Sequence, residues 1–169
     1  SGSSLTASGA LNVLADSKEF VTADAAGVSG GGVAGVGGTI DIVFTKVVTQ
    51  ALTGDGVTIA SGGALAVRAT DAYTLVAAVV TVAVAGTAAA GVTVLVSLSF
   101  NTITAEIGLN NSIRASAITV EASSNRDILT IVATVAGSGV AGVGVSLSVV
   151  VTGGKISKDA HDGIYANDT

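Results

Sequence analysis

The chain has 169 residues, 23 of them Gly and none Pro, Cys, Met or Trp, with a formal net charge of −5. That length fills one domain or one repeat array around a sizeable core, and the lack of cysteine excludes disulfides and thiolate metal sites, a usage compatible with an exported bacterial protein. The seven Lys and Arg are scattered singly, so no basic patch is available for a phosphate backbone, which argues against nucleic acid as a partner.

Val, Ala, Thr and Ser supply most of the rest, which is strand chemistry. The opening SGSSLTASGAL lacks the basic and apolar regions of a signal peptide and reads as an internal stretch. ALNVLADS begins at Ala10, and AGVGGTIDIVFT (Ala34–Thr45) carries a small-residue corner into a long strand. TGDG (Thr53–Gly56) reads as a turn, because Asp-Gly tolerates positive φ and one carboxylate is too few for calcium.

From Ala64 the parts run in full: a short strand ALAVRA, a polar corner TDAY, a long strand TLVAAVVTVAVAG and a small-residue corner TAAAG. A second long strand VTVLVSLSFN, then TITAEIG and the turn LNNS (Leu109–Ser112), complete the unit. Within that turn Asn110-Asn111-Ser112 meets the glycosylation pattern trivially. AITVEASS begins at Ala117, and AGVGVSLSVVVT spans Ala141–Thr152. The closing KDAHDGIY holds the one histidine, His161, which reads as a solvated side chain in a turn; its HDG is too poor in carboxylates for a calcium loop.

The three copies lie 54 and then 53 residues apart, with Gly37, Gly91 and Gly144 at equivalent places. Such a period predicts an all-β fold: a parallel β-solenoid of about three rungs, one array over 1–169 with units near 10–63, 64–116 and 117–169. Stacked antiparallel hairpins or a β-sandwich are the alternative, because the two long strands joined by GTAAAG suit a hairpin. Ala72–Ala105 and Ile128–Gly154 carry no charge and mimic membrane helices in a hydropathy window, yet Val92, Val94, Val96, Leu98 and Phe100 alternate with Thr93, Ser97, Ser99 and Asn101. Period two is a strand signature, so membrane insertion is not expected.

On the second long strand one parity is apolar in every copy: Ile40, Val94, Leu147; Ile42, Val96, Val149; Phe44, Leu98, Val151. This predicts a core face, with Val96 at its centre, and predicts a solvated face of Thr39, Thr93, Ser146 and Thr45, Ser99, Thr152. The Gly and Ala clusters read as corners needing positive φ or close backbone approach. The G-x-G-x-x-G spacing at Gly137, Gly139 and Gly142 is followed by no helix former, basic residue or ribose-binding acid, so it is no dinucleotide loop. No carboxylates fall at matching places in neighbouring units beside a basic residue, so polysaccharide-lyase chemistry finds no machinery. The sequence therefore nominates no catalytic, metal-binding or cofactor-binding residue, and the chain is not expected to be an enzyme.

GVAGVGVSLSVVV, followed in each unit by TAEIG-like and ALAVRA- or AITVEA-like strands, resembles the repeats of very large bacterial exoproteins of the leukotoxin and filamentous-haemagglutinin-like adhesin group. The resemblance covers nearly the whole chain and implies a secreted or surface-exposed solenoid stalk without a defined site. Together these observations predict a structural or adhesive segment at the bacterial cell surface or outside the cell, a rigid stalk or fibre element. The alternatives are an ice- or surface-binding module using the Thr and Ser ranks, and a carbohydrate-active β-helix. Two geometric expectations accompany the solenoid. Arg68 and Glu121 pair across neighbouring rungs, and Val76, Ala78, Val80, Val82 and Val84 form a second apolar face on the first long strand, opposite Leu75, Ala77 and Val79. That face implies self-association, sideways through it or end to end through open rungs. No host or surface ligand is specified.

Overall fold

A computed structural model describes residues 2–160, which form nine β-strands and no helix. Each of three rungs supplies one short and two long strands. They are β1 (Ser4–Ala7), β2 (Leu11–Gly31) and β3 (Ala34–Thr53); β4 (Thr58–Ser61), β5 (Leu65–Ala85) and β6 (Ala88–Ile107); β7 (Ser112–Arg114), β8 (Ile118–Ser138) and β9 (Ala141–Ala160). Equivalent strands stack in parallel into a short sheet, β1-β4-β7, a first long sheet, β2-β5-β8, and a second long sheet, β3-β6-β9. Gly37, Gly91 and Gly144 are register partners, as expected.

The fold is the parallel solenoid. Hairpins are overturned by the partners each strand takes: β5 and β6, joined through Gly86 and Thr87, pair only with their equivalents in other rungs and face each other across the interior. The change of period from 54 to 53 residues falls in one corner, because Thr58 pairs with Ser112 whereas Leu65 pairs with Ile118. One residue is lost between β7 and β8, and the long strands keep their register.

Strands of 20 and 21 residues make a flat, wide coil, roughly 70 Å along the strands. They are longer than the sequence suggests. TDAY is no corner: β5 runs straight through it, and Asp71 and Tyr73 point inward. TITAEI is likewise the continuation of β6. Strict alternation of buried and part-exposed positions then persists along each central strand from end to end.

Between the long sheets the interior is layered. Nearest the short sheet, Leu65, Val67, Ala69, Ile103, Ala105 and Ile107 pack with Ile59 and Ile113. A polar layer follows, then a second apolar cluster of Tyr73, Leu75, Ala77, Val79, Val43 and Leu95. A layer of hydroxyls separates this from the last cluster, Ala83, Ala85 and Ala89, beside the Gly-rich corner.

The core parity of the second long sheet is the reverse of that expected. Ile40, Ile42 and Phe44 are 71%, 66% and 63% exposed, while Thr93 and Leu95 are completely buried. Val96 is only half-buried, on the outer face, and Val94, Leu98, Leu147, Val149 and Val151 share that face. Two constraints explain the reversal. A continuous β6 has a single inner parity, and Ile103, Ala105 and Ile107, which fill the wide end, share theirs with Thr93, Ser97 and Ser99. At the other end the sheets approach so closely that a Cβ on Gly91 would lie 2.6 Å from the Thr134 methyl group. No Ile or Phe fits there.

Candidate interaction face

The outer surface of the second long sheet is apolar from the Gly-rich corner to mid-strand. Val36, Ile40, Ile42 and Phe44 of β3, Val92, Val94, Val96 and Leu98 of β6, and Val143, Val145, Leu147, Val149 and Val151 of β9 stand side by side in register. Only Ala and Gly occupy the remaining outward positions, so this half of the face has no outward charge and no outward hydroxyl. It ends at Phe44 and Phe100, whose rings lie 6.1 Å apart and tilted, and at Lys46 one outward position further on. Beyond that row the outward face is mixed: Thr102, Thr104 and Lys155 stand beside exposed Val48 and Leu52.

The first long sheet differs. Val76, Ala78, Val80, Val82 and Val84 do face outward, with Leu129, Ile131 and Val135 beside them, so the second apolar face of that strand exists. Asp24 is exposed within it, however, in register with Ala78 and Ile131, and Asp127 sits beside Thr74 at its margin. Toward the short sheet, Arg68 and Glu121 form the expected cross-rung ion pair at 3.3 Å, each side chain about half exposed. Such a pair contributes under ~1 kcal/mol.

The hydroxyl ranks face inward. Thr81 donates to Thr39 Oγ1 at 2.8 Å and Thr93 bonds Thr134 at 2.7 Å, while Thr134 also meets Ser146 at 2.9 Å. Threonines of one long sheet thus interleave with those of the other. Thr45 reaches the Tyr73 hydroxyl at 3.2 Å, and Ser99 is buried. Thr93 and Ser99 of the central rung are thus buried and Thr39 and Thr45 half-buried, whereas Ser146 and Thr152 of the terminal strand β9 remain exposed, so the ranks do not form one solvated face.

Polar chemistry elsewhere in the interior is sparse. Asp71 is completely buried; its Oδ2 accepts from Asn101 Nδ2 at 2.6 Å and from Ser124 at 3.4 Å, while Oδ1 has no partner. Its register partners are Ser17 and Ser124, so no carboxylate stacks on it. Arg126 points into a cavity of about 350 Å³ bounded by Ser124, Gly153 and Gly154, and donates to the Gly153 carbonyl at 3.3 Å. Asp41, in register with Leu95, is a second inward-facing carboxylate, and its buried Oδ2 has no hydrogen-bond partner among the described residues. No cluster of three or more metal-ligating side chains occurs among the described residues, and no helix there is long and apolar enough to cross a membrane.

The corners behave as turn chemistry demands. Gly56 has φ +65° and Asn110 φ 56°, and Asp55 Oδ1 accepts the Leu109 N–H at 2.6 Å, so the two turns of TGDG and LNNS brace each other across rungs. Asn111 is buried and spends its amide on Val57, Gly108 and Thr53, which leaves Asn110 as the exposed member. The repeated glycines Gly37, Gly91 and Gly144 are close-approach positions inside strands, and none has positive φ. His161 and its HDG lie outside the described residues. No known family model, curated protein or solved structure matches the chain.

Proposed function

We propose that the chain is a structural segment of a bacterial cell-surface or extracellular protein, a rigid stalk or fibre element with an adhesive role. The observation that carries this reading is the in-register stacking of whole rungs, which adds length along one axis without converging any set of reactive side chains. Repetition serves span and stiffness, whereas a catalytic or ligand site needs a departure from repetition. The resemblance of GVAGVGVSLSVVV and its flanking strands to exoprotein repeats points the same way.

Single-molecule extension tests the mechanical half of the proposal. Pulled from its ends, the array should yield rung by rung, each 53–54-residue unit releasing roughly 190 Å of contour. A single featureless extension at low force would count against a stalk. Antibodies against the chain should label intact, unpermeabilised cells of its source, and labelling only after lysis would refute the surface assignment.

A further inference from the structure

The structure assigns the apolar outer face of the second long sheet to a second copy of the same chain, packed face to face across a two-fold axis. This deepens the structural reading above and rests on it, because it names the surface through which one stalk element joins another. Four observations select the face and its occupant.

The first is contrast. Of the two long sheets only the second presents an apolar half with no outward charge, whereas the first carries exposed Asp24 within its corresponding region. An inserted carboxylate is how a sheet face is kept in water, and its absence marks the face that is covered. The second is area. Three strands ~4.8 Å apart and about eleven residues long present roughly 500 Å² of plan surface, at the upper end of what monomers leave apolar and the size at which such a patch commonly has a function. Two such faces together bury about 1,000 Å² or somewhat more, the lower bound for a specific interface.

The third is shape. Rows of branched aliphatic residues at strand spacing, Ile40, Val94 and Leu147 beside Ile42, Val96 and Val149, form a regular corrugation that is complementary to itself. An isologous pair requires that self-complementarity. The fourth weighs against lipid as the cover. The chain carries a net charge of −5, and Lys46 and Lys155 are the basic side chains near the margin of the face, so anionic headgroups find little to hold.

Light scattering and sedimentation of the intact chain, with Val96→Asp, Ile42→Lys and Val80→Asp variants, test the assignment. The wild-type chain should be a dimer by about 100 μM. Val96→Asp and Ile42→Lys should weaken the dimer at least tenfold while far-ultraviolet circular dichroism stays unchanged; Ile42 is exposed enough that its lysine variant folds even if the other does not. Val80→Asp, on the first long sheet, should dimerise as wild type. A wild-type monomer at millimolar concentration, a dimer indifferent to Ile42→Lys, or a dimer lost only through Val80→Asp would each overturn the proposal. Flotation with phosphatidylcholine–phosphatidylglycerol vesicles supplies the other arm: no binding is expected, and uptake of the wild type but not Ile42→Lys would assign the face to lipid instead. Rung-by-rung extension is indifferent to Ile42→Lys, so failure of the dimer and failure of the stalk reading are separately visible.

Discussion

Leu95 and Val96 are adjacent, both apolar, and both in the middle of the central rung, yet Leu95 is sealed between the long sheets and Val96 looks outward from the slab. The inner neighbours of Leu95 are the hydroxyls of Thr93, Ser97 and Ser148 and the carboxylate of Asp41; the outer neighbours of Val96 are Val, Leu and Ile. Hydropathy alone reverses the two faces. What decides is the strand as a whole: the corner that begins it admits only small side chains, and the wide end that finishes it demands Ile103 and Ile107. Everything between takes the parity those ends impose.

Several substitutions sharpen or break that contrast. Leu95→Asp places an unpaired carboxylate in the central apolar cluster and should cost several kcal/mol, enough to abolish cooperative thermal unfolding. Val96→Asp, one residue on, should leave a folded chain; loss of its strand signal in circular dichroism would mean that the outer face is core after all. Gly91→Val drives a side chain into the Thr134 methyl group and should destabilise by about 1–3 kcal/mol or more, read from a denaturant midpoint. Asp71→Ala strands the buried Asn101 amide at a cost of about 1–3 kcal/mol, and the double variant with Asn101→Leu should recover much of it. Smallest of all, Glu121→Ala should move stability by less than ~1 kcal/mol, and a larger loss would show that Arg68 does more than pair at the surface.

Much of this architecture is legible in the sequence. The 54- and 53-residue offsets give the parallel register, so Arg68 meets Glu121 and the repeated glycines align. Asp-Gly and Asn-Asn mark the turns. Two features are not legible by the same means. TDAY reads as a corner because polar residues cluster there, but Asp71 is tolerated inside by Asn101, which lies 30 residues away on the facing sheet. Cutting the second long strand at Asn101 hides Ile103, Ala105 and Ile107, whose alternation is in phase with Thr93 and out of phase with Val94. Following the alternation through TITAEI would have exposed the inner parity. The apolar interaction face follows from that correction, since the residues that look most like core are the ones left outside.

The flatness of the rung has a mechanical consequence. Long strands of about 70 Å, in two sheets that with their side chains are about 20 Å thick, give a cross-section several times wider than it is deep. The bending stiffness of a beam grows linearly with its dimension along the bending axis and with the cube of the other, so the two directions differ by roughly (70/20)², about tenfold. A stack of these rungs is a ribbon: it curls readily across its faces and resists being bent within their plane. Pairing two ribbons through their apolar halves would double the thin dimension where they overlap and stiffen that easy direction there about eightfold, turning a strap into a girder.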